Sequence, residues 1–435
     1  MKKKVIIITA LPFRIRGNQS LLRFTRMFLK NDYKVILFTN GNDDRGEITE
    51  KHPNLTFVNI PKFSSLKKWN PLKFFKKSSN MNKEQKNTTN HFEHMKSFDI
   101  IPPFGSHTNK TMIKKWISFS VGLLDNFCGF LYIVFLFPKH LKEANAIIGY
   151  ETGMAITAKT ISKIFNKKYL NKYQGTVLEA TKRNLTLARK YYPSVYYGTN
   201  RSDLCIMVND DTDGEFYARA AGCENVYLTT HGVGVDDYKC NISPPDLIKE
   251  NSDRFILFNN ATGSRWKRPD RILRALTYLP KESLRNILVI TTYFADDKDK
   301  LIEFCDKLGL NDNVVFLEKI NHIESNAFIR YSDALIMTND ISNLGNPTIE
   351  ALYYGTPVIS LDERTLSDFV RNGVDGFLIK INENMDQEMA NAINKLYTDK
   401  NLYEEIKKNV KLNQTVFTLD QQQKKEFQRI TEIIN

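Results

Sequence analysis

At 435 residues, with 42% hydrophobic and 26% charged side chains, the chain can bury two cores and is too apolar for a disordered polymer. Its formal charge of +13 suits an anionic partner, whether nucleic acid, an anionic membrane surface or a phosphorylated substrate. Five scattered cysteines make no Cys-x-x-Cys pair and no metal spacing, and Met1-Lys2-Lys3-Lys4 leads into a strand rather than a signal-peptide core, so a reduced, cytoplasmic protein is expected.

The β-branched run 5–9 reads as a buried parallel strand, followed by a loop through Gly17 and a helix over 20–30 with apolar Leu21, Leu22, Met27 and Phe28. Strands at 34–39 and 55–60 continue the alternation, which is the rhythm of a doubly wound parallel sheet. Residues 62–115 break it with Lys, Asn and Ser and read as a basic insertion. The apolar segment 116–137 is interrupted by Asp125 and Asn126, and the unbroken run after them is too short to span a bilayer. Its second half is expected as a core helix. Its first half, edged by Trp116 and by Lys110, Lys114, Lys115 and Lys139, suits a peripheral seat on an anionic membrane surface at the cytoplasmic face. Strands resume at 146–149, 168–172, 203–208 and 226–230, which completes an N-terminal domain over 1–238.

Residues 239–252, with Pro244 and Pro245, read as a linker. A second sheet is expected from strands at 254–258, 286–291, 314–317, 334–337 and 357–360, within a C-terminal domain over 253–420. Amphipathic patterns such as Ile272-Leu273-Leu276-Leu279 supply its helices, and 421–435 ends the chain as one more. The fold class is thus α/β: two Rossmann-like αβα domains facing a central cleft.

Two stretches carry chemistry. In Gly345-Asn346-Pro347-Thr348-Ile349-Glu350, Asn346 can cap a helix, Pro347 fits its first position and Gly355 can end it in a left-handed turn. Unpaired amides at such a helix start attract a phosphate. Glu350, about one turn in, would repel that phosphate and suits neutral hydroxyls such as a ribose's. The second stretch is Thr262-Gly263-Ser264-Arg265-Trp266-Lys267-Arg268-Pro269, where three cations crowd a helix start. A diphosphate between them offsets the unfavourable dipole, with Arg265 as a bidentate fork and Lys267 as a point charge. Arg268 reads as a solvated residue of a basic surface loop.

These motifs resemble the donor domain of GT-B glycosyltransferases of family 4, the retaining group 1 transferases. Gly345, Glu350, Ala351, Gly355, Pro357 and Val358 match the family signature in register, and Arg371-Asn372-Gly373-Val374-Asp375-Gly376 is similar to its downstream turn. Tyr173-Gln174-Gly175-Thr176 and His231-Gly232-Val233 look like the corresponding N-terminal elements. The resemblance implies a hexosyl or other glycosyl transfer from a nucleotide sugar to a lipid-linked or polysaccharide acceptor, in cell-surface glycan synthesis. It also implies retention of configuration and neither a cofactor nor a metal. Glu350 would hold ribose hydroxyls, while Gly345, Asn346, Pro347 and Thr348 with Arg265 and Lys267 would hold the diphosphate. Gly17 would approach the donor from the other domain.

Two positions depart from the pattern. Ser342 stands where the signature's first Glu orients the sugar, and Gln174 stands near a position where many members carry His. Gln174 cannot be a general base, although it can hydrogen-bond the sugar or acceptor. An alternative is therefore a catalytically impaired nucleotide-sugar binder that partners a glycan-assembly complex. A dinucleotide oxidoreductase is disfavoured because Gly17 stands alone in the first strand-loop-helix. Nucleic-acid binding is not expected, since aromatic platforms are not interleaved with the basic residues.

Overall fold

In the computed structural model, the described residues are 2–13, 19–40, 52–62, 109–209, 212–230, 233, 243–261, 265–293, 298–318, 320–363, 366–412 and 418–435. Gly17, His231, Gly232 and nearly all of the basic insertion lie outside them. The chain forms two compact units, one of residues 1–88, 107–229 and 423–435, the other of 89–106 and 230–422.

In the first unit, runs of Val, Ile and Leu become strands buried on both faces, as a parallel sheet requires. They are β1 (Lys4–Thr9), β2 (Lys34–Thr39), β3 (Leu55–Asn59), β4 (Ala146–Tyr150), β5 (Lys168–Tyr173), β6 (Leu204–Val208) and β7 (Val226–Thr229). Their order is β3-β2-β1-β4-β5-β6-β7 and every pairing is parallel. Val5 pairs with Val35 on one side and Ala146 on the other, which places the first strand at the centre. The helices are α1 (Gln19–Lys30), α2 (Asn109–Leu136), α3 (Pro138–Glu143), α4 (Ala155–Ile164), α5 (Leu185–Tyr191), α6 (Pro193–Gly198) and α7 (Gly214–Ala220).

Asp125 and Asn126 interrupt the apolar run but not the helix: α2 runs unbroken for 28 residues, which corrects the expectation that the segment is too short to span, since by length and composition it is long and apolar enough. Asn126 is tolerated because it is buried and fully engaged. Its amide nitrogen donates to the carbonyls of Gly122 and Gly153, both at 2.8 Å, and its side-chain oxygen accepts from the Thr157 hydroxyl at 2.9 Å. A buried amide with its bonds made costs little, and here it pins α2 to α4.

The second unit has strands β8 (Phe255–Asn259), β9 (Ile287–Thr292), β10 (Val314–Leu317), β11 (Ala334–Met337), β12 (Val358–Leu361) and β13 (Gly376–Ile379), ordered β10-β9-β8-β11-β12-β13. The sixth strand exceeds the five expected, because 376–379 read as the end of a turn. Its helices are α8 (Asp246–Glu250), α9 (Asp270–Leu276), α10 (Lys281–Arg285), α11 (Lys298–Leu308), α12 (His322–Tyr331), α13 (Asn346–Tyr354), α14 (Met385–Thr398) and α15 (Lys400–Leu412).

The last helix, α16 (Leu419–Ile434), ends the chain on the first unit's core. Ile430 and Ile434 pack there with Phe28, Leu37 and Ile206. The Lys172 ammonium donates to both Glu426 carboxylate oxygens at 2.6 Å, with both side chains more than nine-tenths buried.

Gly376 tests the parallel pairing of β12 and β13. A Cβ there would stand 2.1 Å from the Val358 carbonyl oxygen, directly across the register. Gly376→Ala should therefore lower the unfolding free energy in urea by about 1–3 kcal/mol or more. Gly345→Ala, whose Cβ would meet nothing nearer than 3.5 Å at a φ of −91°, should leave it unchanged.

Candidate active site

In open parallel sheets ligands bind beyond the carboxyl ends of the strands. In the second unit those ends are polar and cross-braced. The Asn259 amide donates to the Ile336 carbonyl at 2.7 Å, Thr291 donates to Asn259 at 2.9 Å, and the Ala261 N–H donates to the Thr292 hydroxyl at 2.7 Å. This edge is therefore stiff before any ligand arrives.

Beyond β8, Arg265–Lys267 forms a single 3-10 turn. Arg265 is exposed, and the Lys267 ammonium lies 4.4 Å from the Trp266 ring centroid. Arg268 is a correction: it is not solvated but completely buried, at a φ of +51°. Its guanidinium bonds both Asp270 oxygens at 2.9 Å and Asp340 at 3.1 Å. Asp340 also accepts from Arg271 at 2.6 Å, and Asp270 from Arg274 at 3.4 Å, while Arg274 reaches Asp386 at 2.7 Å. Three arginines and three aspartates thus neutralise one another beneath the turn.

The network fixes one chemical stretch against the other. The Asp340 N–H donates to the Trp266 carbonyl at 2.7 Å, so the loop after β11 runs beside the Arg265–Lys267 turn. Within that loop Asn339 and Asn343 bond reciprocally, the Asn339 amide donates to the Ser342 carbonyl, and the Asn343 N–H donates to Glu363 at 2.8 Å. Ser342 is held at a φ of +61°. Such a conformation costs a non-glycine residue about 1 kcal/mol or more and clusters at functional sites.

The helix α13 starts one residue earlier than expected. Gly345 is its N-cap, Asn346 its first residue, and Gly355 ends it in the left-handed region as read. Pro347 has no N–H to give. Thr348 is fully buried, its N–H donating to the Gly345 carbonyl at 3.1 Å and its hydroxyl to the Asn343 carbonyl at 2.7 Å. The anion-seeking amides at this tip narrow to those of Gly345 and Asn346.

Glu350 is buried to 6% exposure, and its Oε1 lies 2.7 Å from His322 Nε2 at the start of α12. Sequence reasoning missed His322. The visible signal was a capping box, in which Asn321 and Glu324 exchange bonds and set His322 at the first helical position. It also missed Asn339, Asn343 and Glu363, which brace the loop.

Profile comparison matches residues 245–413 to the glycosyl transferases group 1 family. These residues form a group 1 glycosyltransferase domain. Arg265, Lys267, Ser342, Gly345, Asn346, Pro347, Thr348 and Glu350 all fall inside it. The chain is 26% identical over 217 residues to the putative glycosyltransferase EpsD of Bacillus subtilis (strain 168), a match covering 48% of this chain and 55% of that protein. It is 31% identical over 140 residues to the D-inositol 3-phosphate glycosyltransferase of Nocardia farcinica, 31% of each chain. The chain therefore spans about half, or less, of the length of these curated relatives. The structure of HepE from Anabaena in complex with UDP and glucose superposes with a TM-score of 0.65 at 15% identity, covering 98% of this chain and 99% of HepE. The two parallel-sheet units have the GT-B fold.

Gln174 lies outside the group 1 domain, at the carboxyl edge of the first unit's sheet. Its amide nitrogen donates to the Tyr150 hydroxyl at 2.7 Å and its N–H to Glu151 at 2.7 Å, while its buried Oε1 is unpartnered. Burial, reinforced by the charges of Glu151 and Glu426, holds the Tyr150 phenol well above its ordinary pKa, so it stays a neutral acceptor for that amide. Glu151 itself sits at φ 62°, ψ 169°, a region otherwise left to glycine. One polar oxygen thus faces an unfilled hydrogen-bond position beside a strained residue.

Arg268→Ala would strand Asp270 and unbalance Asp340 in the dry network, and should cost about 3–5 kcal/mol of unfolding free energy.

Proposed function

We propose that the chain transfers a glycosyl group from a nucleoside-diphosphate sugar to a lipid-linked or polysaccharide acceptor in cell-surface glycan synthesis, working in the cytoplasm. The carrying observation is the pairing of Glu350 with the α13 tip and the Arg265–Lys267 turn in one loop cluster. One Glu350 oxygen is committed to His322, and the carboxylate's other oxygen is left to accept ribose hydroxyls. The amides of Gly345 and Asn346, with Arg265 and Lys267, receive the two phosphates.

In the reaction the bond from the anomeric carbon to the diphosphate oxygen breaks, and the acceptor oxygen bonds that carbon on the same face. The acceptor's proton passes to the departing phosphate oxygen. The side-chain cations and helix amides stabilise the charge that develops there, which is electrostatic catalysis by fixed groups. The reading carries no metal in the step, so activity should survive EDTA.

Ser342 and Gln174 favour a second reading, a donor-binding homologue without transfer that partners a glycan-assembly complex. A thermal-shift screen of nucleoside diphosphates and their sugars, starting with UDP because HepE was solved with it, separates the readings from failure. A ligand at a hundred times its Kd should stabilise the protein by about 2.7 kcal/mol. Glu350→Ala should abolish the shift, and His322→Ala should weaken donor binding while kcat at saturating donor stays within a few-fold. An NMR assignment of the product's anomeric proton tests retention. Binding without transfer to any offered acceptor selects the second reading, and no shift with any nucleotide overturns both.

A further inference from the structure

The helix α2 is long and apolar enough to cross a membrane. It does not cross, because it lies along its own domain. Asn126, Gly129 and Ile133 face inward, Gly129 against Met154 and Asn126 against Thr157, and β3 before it and β4 after it belong to one sheet. The other side is bare. Ile113, Trp116, Leu123, Leu124, Phe127, Phe135 and Leu136 are all exposed, Phe127 at 58% and Phe135 at 74%. Steps of three and four residues place most of them on one stripe.

The neighbouring helices extend that stripe. Ile164 on α4, Leu185 and Leu187 on α5 and Tyr197 on α6 are also exposed, so eleven of the seventeen exposed large hydrophobics among the described residues lie in this one helical group. A monomeric soluble surface does not gather apolar area this way without use. Charge is gathered with it. Residues 109–201 hold fifteen Lys and Arg against four Asp and Glu, a net +11. Apolar side chains ringed by lysines, with Trp116 at one end, are the composition of a surface seated in a lipid interface.

A cavity of about 270 Å³ opens in the same group, between α4, α6 and α7. Lys159 and Arg201 line it with Tyr196, Tyr197, Tyr217 and Thr199. The Thr199 hydroxyl is buried to 3% exposure and has no hydrogen-bond partner. Burial lowers the Lys159 pKa, and the neighbouring charges of Lys163 and Arg201 push the same way, so an entering anion would relieve all three. Arg201 meets only the exposed Glu224 at 3.1 Å, a weak surface pair. Tyr197 joins cavity to stripe: its ring stacks on Phe119 of α2 with centroids 5.3 Å apart and meets Trp116 edge-on.

We infer that the outer face of α2, α4, α5 and α6 docks on an anionic bilayer, and that the Lys159–Arg201 cavity receives the phosphate of a lipid headgroup there. Two terms then add. The apolar stripe buries its side chains in the acyl boundary, and the cations of 109–201 are drawn to the surface potential.

The inference is independent of the donor site, which lies in the other unit, so UDP-induced stabilisation serves as the folding control for each variant. If no nucleotide shifts the parent, its own urea midpoint takes that role. The full chain is sedimented with vesicles of equal phosphatidylglycerol and phosphatidylcholine, and with phosphatidylcholine alone. The parent should bind the anionic vesicles far more tightly, and added salt should weaken that binding. Phe127→Asp with Phe135→Asp should reduce partition by about tenfold or more. Lys159→Gln and Arg201→Gln should each reduce it by about fivefold on anionic vesicles only. Glycerol phosphate distinguishes a soluble phosphate from a headgroup. Competition by it supports the cavity assignment, whereas Lys159→Gln and Arg201→Gln without effect on anionic vesicles overturn it. Equal partition on both vesicle types, or folded variants that sediment like the parent, overturns the docking face. So does a dimer that dissociates in Phe127→Asp while no vesicle is bound, since a second copy then covers the stripe.

Discussion

The second unit of this molecule depends on a largely buried salt-bridge network. Arg268, Asp270 and Asp340 lie almost wholly inside, tied on to Arg271, Arg274 and Asp386. Each of these charges alone would be prohibitive to bury, and together they are tolerated only because every partner is present. That all-or-none character is useful at an active site. The network joins the loop after β8, the loop after β11 and the start of α14, so none of the three can drift independently. The Arg265–Lys267 turn above it is consequently held in place. A preorganised cation need not reorganise when charge develops on a leaving phosphate.

The same economy appears in how carboxylates are placed. Glu350 and Glu363 are both buried at strand or helix ends, yet they do different things. Glu363 spends its oxygen on the Asn343 N–H and so shapes the loop. Glu350, within α13, has one oxygen tethered to His322. A carboxylate with one oxygen tethered has its orientation set and its remaining lone pairs available, which is what recognition of a vicinal diol demands.

Much of this was legible from residue order. Parallel strands buried on both faces announce themselves as apolar runs, and all seven strands of the first sheet lie where those runs are. The strand β13 was not legible, because Gly376 and the preceding Gly373 read as turn punctuation. Only the register against Val358, where no Cβ fits, turns that glycine into a strand residue. Asp125 and Asn126 looked like a break in an apolar helix for an equally local reason. The tolerance of Asn126 comes from Gly153 and Thr157, some 30 residues away in sequence. Arg268 was the plainest case. A basic residue among basic residues reads as surface, and its burial is set by Asp340, which pairs with it only after two strands have docked. His322 is of a similar kind: the capping box around it marks a helix start but not a partner, and the contact with Glu350 exists because α12 and α13 pack side by side.

The positive charge is the feature whose meaning changed most between sequence and structure. Counted over the whole chain, +13 is compatible with any anion, and phosphorylated donors account for two or three cations at most. Assigned to the two units, the whole of the excess falls in the first, and the second, which holds Arg265 and Lys267, is net acidic. Self-repulsion among those cations disfavours the compact state, so the concentration is a cost the fold carries. Part of that excess, the +11 of residues 109–201, lies in the helical group that also exposes Phe127 and Phe135, and a shared anionic, apolar neighbour would match both properties. Such a seat would hold the first unit at a lipid surface through its apolar stripe and its cations together.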